Sequence, residues 1–303
     1  MTQNVIRRKS VIATFTPYLL IAPALILYLT FTAYPILYGI WLSLLDWDGF
    51  SQNMIFVSFR NFSEIILHDQ LFRLSLWHNV IYTLGTVMAK TIVGLGLALL
   101  LNRSTKMLVV YRTAIFIPVI LSFVVVGMMW SWILNPIFGL ANALFKTLGL
   151  GFLAQDWLGN PRLALYTVMF VDLWKWAGFH MVLFLAGLKG IPEVLYEAAA
   201  IDGATPWQRT IRITVPLLST PAFMGAALAI IGGFGVFDLV YVLTSGGPYN
   251  ATEVVAHHMY LQTFKFRRVG YGAAMAWILF LIILPLVITQ VRSMLRNIQE
   301  ASG

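Results

Sequence analysis

Long apolar segments with few charges dominate this chain, and they constrain its fold more than any other feature. A helix needs about 20 predominantly apolar residues to cross the hydrocarbon core of a membrane. We predict six such helices, at about residues 18–43, 76–101, 110–134, 163–188, 215–242 and 270–290. Hydrophobic residues make up 59% of the chain and charged residues 11%, whereas soluble domains have roughly 45–50% and about 25%. The sequence therefore predicts one all-α integral membrane domain over residues 1–303.

Proline positions and polar stretches refine this pattern. Pro118 lies inside the third segment and predicts a kink there. The first segment is too long for the apolar core of a secretory signal peptide, so we interpret it as a spanning helix. Residues 46–73 and 135–162 are polar enough to be external connections, and residues 251–264 are expected to form an amphipathic helix on the external surface, under a docking partner.

Basic residues at the ends of the apolar segments predict the orientation, because cytoplasmic loops of membrane proteins carry an excess of Lys and Arg. With six spans both termini lie on one side. That side carries more Lys and Arg than the other, in the following positions: Arg7, Arg8, Lys9, Arg103, Lys106, Arg112, Lys189, Arg209, Arg212, Arg292 and Arg296. A cluster on the opposite side, Lys265 with Arg267 and Arg268, weakens the bias. We expect a multi-pass protein of the inner, cytoplasmic membrane with both termini in the cytoplasm.

The polar loop at residues 189–214 separates the fourth and fifth segments. Pro192 is suited to the first position of a helix, and Asp202-Gly203 is a stop at which glycine can adopt positive φ. Thr205-Pro206 repeats the start signal, so two short helices are expected to meet at Gly203. A single amphipathic helix on the membrane surface is the alternative, but it explains neither the glycine nor the second start.

Within this loop, Glu197-Ala198-Ala199 is followed by Gly203 and then by Ile213 and Val215-Pro216. This pattern resembles the EAA loop in the permease subunits of ATP-binding-cassette importers. Tyr196 before the glutamate, and Ala200 to Ala204 after it, are similar to the carbohydrate-uptake branch, the MalF-like permeases. The resemblance extends to other motifs: Arg112 to Pro118, Trp130 to Pro136, Gly139, Asn142, Thr244 to Pro248, Thr252-Glu253 and Gly272 to Ala274.

The resemblance implies a type I importer permease fold and a role in ATP-driven uptake of a sugar, expected to be an oligosaccharide. It implies these partners: a second homologous permease, two ATP-binding-cassette ATPase subunits and an extracytoplasmic solute-binding protein. The chain itself would be no enzyme and would bind no cofactor, while ATP and Mg would be used by the ATPase. The residues expected to couple to that ATPase are Glu193, Tyr196, Glu197, Ala198, Ala199, Asp202, Gly203, Ala204 and Trp207.

Charged and aromatic residues inside the fourth and fifth segments predict a solute pocket. Ionisable residues are costly within a bilayer, so Asp172 and Lys175 should face protein or water. The candidate residues are Asp172, Lys175, Trp176, Phe179, His180, Gly232, Gly233, Val236, Phe237 and Asp238. All but His180 and Asp238 are similar in position to a MalF-like pocket; His180 continues the helix face of Trp176 and Phe179, and Asp238 is an intramembrane polar residue that follows Phe237. Glycines stand where the family has asparagines, so a wider cavity is expected. The alternative is that Asp172 and Lys175 only pair with each other.

Other functions find less support in the sequence. A proton-coupled secondary transporter would use Asp172 and Lys175, but it would not need the EAA loop. For Lys90 we expect a side chain extended to the cytoplasmic interface more than a role in the pore. No Gly-rich phosphate loop is present, and the adjacent His257 and His258 do not share a helix face, so neither nucleotide hydrolysis nor a metal site is expected. The basic residues follow membrane orientation, so we expect no nucleic-acid partner.

Overall fold

The computed structural model describes residues 11–102 and 105–302, and at 11–16 and 294–302 this description is limited to the backbone. Arg7, Arg8, Lys9 and Arg103, on which part of the orientation prediction depends, lie outside the described residues. The described chain is almost entirely helical, which confirms the predicted all-α class. A short antiparallel hairpin, β1 Leu45–Asp46 with β2 Ile55–Phe56, is the exception among the described residues.

The helices follow one another with short connections. In chain order they are α1 Val11–Tyr28, α2 Tyr34–Ser43, α3 Arg60–Leu67, α4 Gln70–Leu100, α5 Lys106–Ile120, α6 Phe123–Ile133, α7 Leu140–Thr147, α8 Ala164–Lys189, α9 Glu193–Ile201, α10 Pro206–Arg209, α11 Val215–Leu217, α12 Ser219–Phe234, α13 Asp238–Leu243, α14 Val255–Tyr260 and α15 Val269–Ser302. Helical turns of other pitch lie at Leu29–Ala33, Gly151–Leu153, Thr210–Thr214 and Leu261–Lys265.

Among the described residues, four helical segments are long and apolar enough to cross a membrane, and two bent pairs raise the count to as many as six if each pair is one span. The four are Pro17–Ser43, Gln70–Leu100, Ala164–Lys189 and Val269–Ser293. The bent pairs are Lys106–Ile120 with Phe123–Ile133, and Pro206–Leu217 with Ser219–Phe234. Each range predicted from hydropathy overlaps one of these six segments.

The third apolar segment bends at Leu121-Ser122 and not at Pro118, where the kink was predicted. Its two helices, α5 and α6, meet at 104°. Leu121 has an extended backbone with ψ of 145°. The Ser122 hydroxyl then caps α6 by accepting a hydrogen bond from the Val125 N–H at 3.3 Å. A local capping signal thus decides where the second half of the segment starts.

The fifth apolar segment is not the continuous helix expected over 215–242. Residues before α12 meet it at 62°, α12 ends at Phe234, and α13 begins a new helix at Asp238. Closely spaced glycines weaken the helix at this point. The Asn79 side-chain amide of α4 donates to the carbonyl oxygens of Gly233 at 3.1 Å and Phe234 at 3.2 Å. These bonds satisfy carbonyls that the helix end leaves free.

The prediction of a surface helix at 251–264 is wrong, because the first part of this segment is buried. His257 is 2% exposed and His258 3% exposed. His257 Nδ1 lies 2.7 Å from Glu253 Oε1, and His258 Nε2 lies 2.9 Å from Asp69 Oδ2. Each buried ring therefore has a polar partner, which lets α14 insert between the ends of α4 and α15.

Candidate functional site

A cavity of about 450 Å³ lies between α8 and the break that separates α12 from α13. Besides these elements, Lys90 of α4 and Phe123 of α6 contribute to its wall. The lining residues are Lys90, Phe123, Asp172, Trp176, Phe179, His180, Leu228, Ala229, Ile231, Gly232, Gly235, Val236, Phe237, Asp238 and Leu239.

Most residues predicted for a solute pocket line this one cavity. They are Asp172, Trp176, Phe179 and His180 on α8, and Gly232, Val236, Phe237 and Asp238 on the opposite wall. The four on α8 share a face because their spacing follows the helical period. Lys175 and Gly233 do not line the cavity. Whether the lining residues bind a solute stays a prediction.

The two neighbouring glycines have different surroundings. A Cβ added to Gly232 would meet no atom within 4 Å, so this glycine does leave open space beside the cavity. A Cβ added to Gly233 would lie 3.0 Å from Thr83 Cα of α4. Gly233 therefore permits close packing of α12 on α4, and the expectation that it widens the cavity is wrong.

Lys90 and Asp172 form a buried ion pair in the cavity wall. Lys90 Nζ lies 2.5 Å from Asp172 Oδ2, and the two side chains are 5% and 6% exposed. The alternative in which Asp172 pairs with Lys175 is therefore wrong, and so is the expectation that Lys90 extends to the cytoplasmic interface. A buried charge needs a partner of opposite sign, and the packing of α4 along α8 supplies one. The charge at Lys90 is visible in the sequence, but its position in the pocket wall depends on a residue of another helix and was not predicted.

Lys175 points to the bend between α5 and α6. Its Nζ donates to three backbone carbonyl oxygens, those of Pro118 at 3.2 Å, Val119 at 3.0 Å and Leu121 at 2.6 Å. The same ammonium lies 4.7 Å from the ring centre of Phe123 and 5.5 Å from that of Trp176. Lys175 thus satisfies carbonyls at the bend and contacts two aromatic rings that line the cavity.

His180 is held on both sides by backbone. Its Nδ1 lies 3.1 Å from the Trp176 carbonyl oxygen, and its Nε2 lies 3.3 Å from the Gly225 carbonyl oxygen of α12. The ring is 3% exposed, so it lines the cavity with little freedom to turn. His180 therefore connects α8 to α12 in the wall of the cavity.

The loop predicted to couple to an ATPase has the expected two-helix form. Gly203 adopts φ of +76° between α9 and α10, as the turn requires. Thr205 and Gln208 form a capping box, with the Gln208 side chain accepting from the Thr205 N–H at 2.8 Å. Pro192 differs slightly from the prediction, because it is the N-cap residue and Glu193 is the first helical residue.

The same loop is exposed in this chain. Val194 is 66% exposed, Ile201 87% and Trp207 72%, and no residue of α9 or α10 is buried. Tyr196 links α9 to the turn before α11, with its hydroxyl 2.9 Å from the Thr214 hydroxyl. An apolar, structurally defined surface of this kind is typical of a site that a partner covers. The coupling role of its residues stays a prediction.

At the opposite end of the molecule, Asp69 joins three helices. Its carboxylate caps α4 by accepting from the Phe72 N–H at 2.8 Å, and it also accepts from the Tyr271 hydroxyl at 2.8 Å. Partial burial raises the pKa of Asp69, but hydrogen bonds from His258, Phe72 and Tyr271 outweigh it and hold the pKa below its ordinary value. The ionised Asp69 carboxylate therefore stabilises the folded state. This contribution is fully present above the ordinary pKa of the carboxyl group and is lost as the pH falls through the lowered pKa.

Within the described ranges, no group of three or more His, Asp or Glu side chains could hold a metal ion. The cavity chemistry instead combines an ion pair, one further carboxylate at Asp238 and the flat faces of Trp176, Phe179 and Phe237. Such a surface can form hydrogen bonds at its polar atoms and stack on apolar faces.

Comparison with known proteins finds relatives of this chain. Residues 90–296 match the family described as binding-protein-dependent transport system inner membrane component. The probable ABC transporter permease protein of Pyrococcus horikoshii is 36% identical over 90% of this chain and 94% of its own length. The trehalose/maltose transport system permease protein MalF of Thermococcus litoralis is 34% identical over 91% of this chain and 92% of its own.

A solved structure shares the fold. It is described as a bacterial ABC transporter involved in the import of the acidic polysaccharide alginate. The match has a TM-score of 0.81 and covers 94% of this chain and 97% of the other, at 22% identity. At this identity the likeness establishes the fold, which is that of an importer permease.

Proposed function

This chain belongs to the inner membrane components of binding-protein-dependent transport systems, and from that membership we propose that it is the permease subunit of an ATP-driven sugar importer, with an oligosaccharide as solute. The chain is a multi-pass membrane protein and a transport subunit, not an enzyme. The name of the Thermococcus litoralis relative, which refers to trehalose and maltose, supports a sugar as solute.

The cavity between α8 and the α12–α13 break carries the proposal. Trp176, Phe179 and Phe237 offer flat apolar faces, and Asp172 and Asp238 offer charged acceptors within the same 450 Å³ space. A sugar has apolar C–H patches and a rim of hydroxyl groups, and so it complements such a surface. The substrate-binding roles of these residues are part of the proposal.

The partners belong to the proposal as well. Asp238 and Gly232 face the cavity and yet are exposed in this chain, which supports a second permease that closes the path from that side. Two ATPase subunits would bind and hydrolyse ATP with Mg on the cytoplasmic side, and this chain would bind no cofactor. An extracytoplasmic binding protein would deliver the solute. The chain would lie in the cytoplasmic membrane with both termini inside.

The α9–α10 loop is the proposed contact with the ATPase. Its exposed apolar side chains support a partner surface, and its capping box and the Tyr196–Thr214 bond make it rigid enough to transmit movement to α11 and α12. Closure of the ATPases would then move the fifth apolar segment, which forms one wall of the cavity.

Transport by the complex reconstituted in proteoliposomes tests both the proposed solute cavity and the proposed coupling loop. The complex comprises this chain, the second permease, the ATPases and the binding protein, and the solutes are maltose, maltohexaose, arabinobiose and arabinohexaose. Trp176→Ala is expected to raise the KM for uptake about thirtyfold while basal ATPase activity persists, because a buried aromatic contact contributes about 2 kcal/mol. Asp238→Asn should also reduce uptake.

In the same assay, Gly203→Val should reduce solute-stimulated ATP hydrolysis and uptake by a factor of about 5–30, because a left-handed backbone costs other residues about 1–2 kcal/mol. Gly149→Val is the matched control, since Gly149 also has positive φ, at +75°, with no atom near its missing Cβ. Unchanged transport in Gly203→Val would contradict the coupling role. Unchanged uptake in both Trp176→Ala and Asp238→Asn would exclude the cavity as the solute site.

A further inference from the structure

Four aromatic rings are connected by contacts that begin in the cavity, at Phe237, and end on the protein surface, at Phe264. Phe237, Tyr241 and Tyr260 pack in a triangle, with ring centres 5.3 Å apart for Phe237 and Tyr241, 5.5 Å for Tyr241 and Tyr260, and 5.2 Å for Phe237 and Tyr260. Phe264 extends this triangle outward, 5.4 Å from Tyr260. Phe237 lines the cavity, whereas Phe264 is 71% exposed. We call Phe237, Tyr241, Tyr260 and Phe264 the aromatic row.

Local helix geometry produces the row. Phe237 and Tyr241 are four residues apart at the start of α13, and Tyr260 and Phe264 are four apart in α14 and the turn that follows it. That spacing places each pair on one helix face. The buried His257 lies behind the row, 6.2 Å from the Phe237 ring centre and 6.0 Å from that of Tyr241. The contact of His257 Nδ1 with Glu253 Oε1, at 2.7 Å, holds this ring in place.

Its composition distinguishes the row from ordinary core packing. Tyr241, which lies beside the contact between Phe237 and Tyr260, is 42% exposed, so it is accessible as well as Phe264. The two tyrosines add hydroxyl groups, which can donate and accept hydrogen bonds. Like the cavity wall, the aromatic row therefore combines flat rings with polar atoms. It continues the cavity surface outward to Phe264.

We propose that the aromatic row is a second saccharide-binding surface, on which the sugar units of an oligosaccharide stack while its leading end occupies the cavity. This inference rests on the proposed function. The C–H faces of sugar rings would lie on the aromatic faces, and their hydroxyl groups would bond to Tyr241 and Tyr260. A solute that extends beyond the cavity gains contacts with the row, whereas a shorter solute does not. The row therefore selects for solute length.

The test compares short with long saccharides in the reconstituted complex. Tyr260→Leu and Phe264→Leu keep an apolar side chain but remove the flat ring. We expect each to raise the KM for maltohexaose or arabinohexaose roughly three- to tenfold, the range that aromatic contacts provide. The KM for maltose or arabinobiose and the basal ATPase activity should not change. Phe266→Leu is the matched control, because Phe266 is 56% exposed in the same segment but is not in the row.

Three outcomes would overturn the inference. Equal changes in KM for short and long saccharides, or no change for either, would show that the row does not select for length. Loss of the second permease on co-purification of Tyr260→Leu or Phe264→Leu would assign this surface to the contact between subunits. A wild-type complex that transports none of these saccharides would contradict the proposed function itself, and the inference with it.

Discussion

In the part of the chain whose side chains are described, three charged residues lie buried within apolar helices, and the structure compensates them in different ways. Lys90 and Asp172 pair with each other between α4 and α8. Lys175 has no carboxylate within ion-pair distance in the described chain; it donates to the carbonyl oxygens at the α5–α6 bend. It also contacts the rings of Phe123 and Trp176, so it links the bend to the cavity wall. We infer that Lys175 positions Phe123 and does not itself bind solute.

Replacement of Lys175 tests this positioning role. Lys175→Met keeps the length of the side chain but leaves the carbonyl groups at the bend without their donor, at a cost of about 1–3 kcal/mol for a buried acceptor. We expect a lower midpoint of thermal unfolding for the purified complex and a higher KM for the solute. Lys189→Met, at the exposed end of the same helix, is the control. An unchanged midpoint and KM in Lys175→Met would refute the role.

Helices approach each other closely where glycine replaces a side chain. A Cβ added to Gly178 of α8 would lie 2.8 Å from Phe116 Cα and 2.9 Å from the Ile115 carbonyl carbon of α5. Both neighbours are backbone atoms, which cannot move aside without moving the helix. This contact holds α5 against α8 near the bend that Lys175 stabilises, so Gly178 sets the distance between the two helices.

Gly178→Ala is therefore expected to destabilise the protein by about 1–3 kcal/mol, the usual cost of overpacking. Gly96→Ala provides the comparison, since a Cβ at Gly96 of α4 would meet no atom within 4 Å. There the change should stabilise the helix by up to about 1 kcal/mol, because alanine has the higher helix propensity. Thermal unfolding of both variants in the same detergent measures the difference. Equal midpoints would mean that α5 and α8 can separate at no cost.

The whole molecule has two ends of different character. The α9–α10 loop lies at one end, and the connection that holds Tyr249 lies at the other in the proposed orientation. The basic cluster that opposes the orientation prediction has contacts of its own: Arg268 pairs with Glu64 at 2.7 Å, and the Arg267 guanidinium lies 5.2 Å from the Phe50 ring centre. Because the orientation bias counts Lys and Arg and depends little on nearby carboxylates, the cluster still counts against the expected orientation.

The orientation can be measured directly because the chain contains no cysteine. Tyr249→Cys and Ile201→Cys introduce single thiols at side chains that are 93% and 87% exposed. In right-side-out membrane vesicles, a membrane-impermeant maleimide should label Tyr249→Cys at once and Ile201→Cys only after permeabilisation. The cysteine-free wild type controls for background. The reverse pattern would place the α9–α10 loop outside and exclude its proposed contact with the ATPase.

Much of the molecule could be predicted from the chain because it depends on local signals. Segment length and hydropathy determine which helices can span a membrane, since a bilayer cannot satisfy free backbone groups. The two-helix loop follows from Asp202-Gly203 and Thr205-Pro206, whose preferences act within a few residues. Helical spacing likewise places Asp172, Trp176, Phe179 and His180 on one helix face, and this does not depend on which residues they contact.

Contacts between distant parts of the chain could not be predicted, because they depend on how helices pack. The Lys90–Asp172 pair, the direction of Lys175 and the burial of His257 and His258 each require a partner from another helix. The aromatic row joins α13 to α14 across a connection whose geometry local preferences do not determine. Hydropathy specifies that a segment avoids water, but it does not specify which neighbour satisfies its polar groups. Only the tertiary structure decides that, because each buried polar group must find its partner in three dimensions.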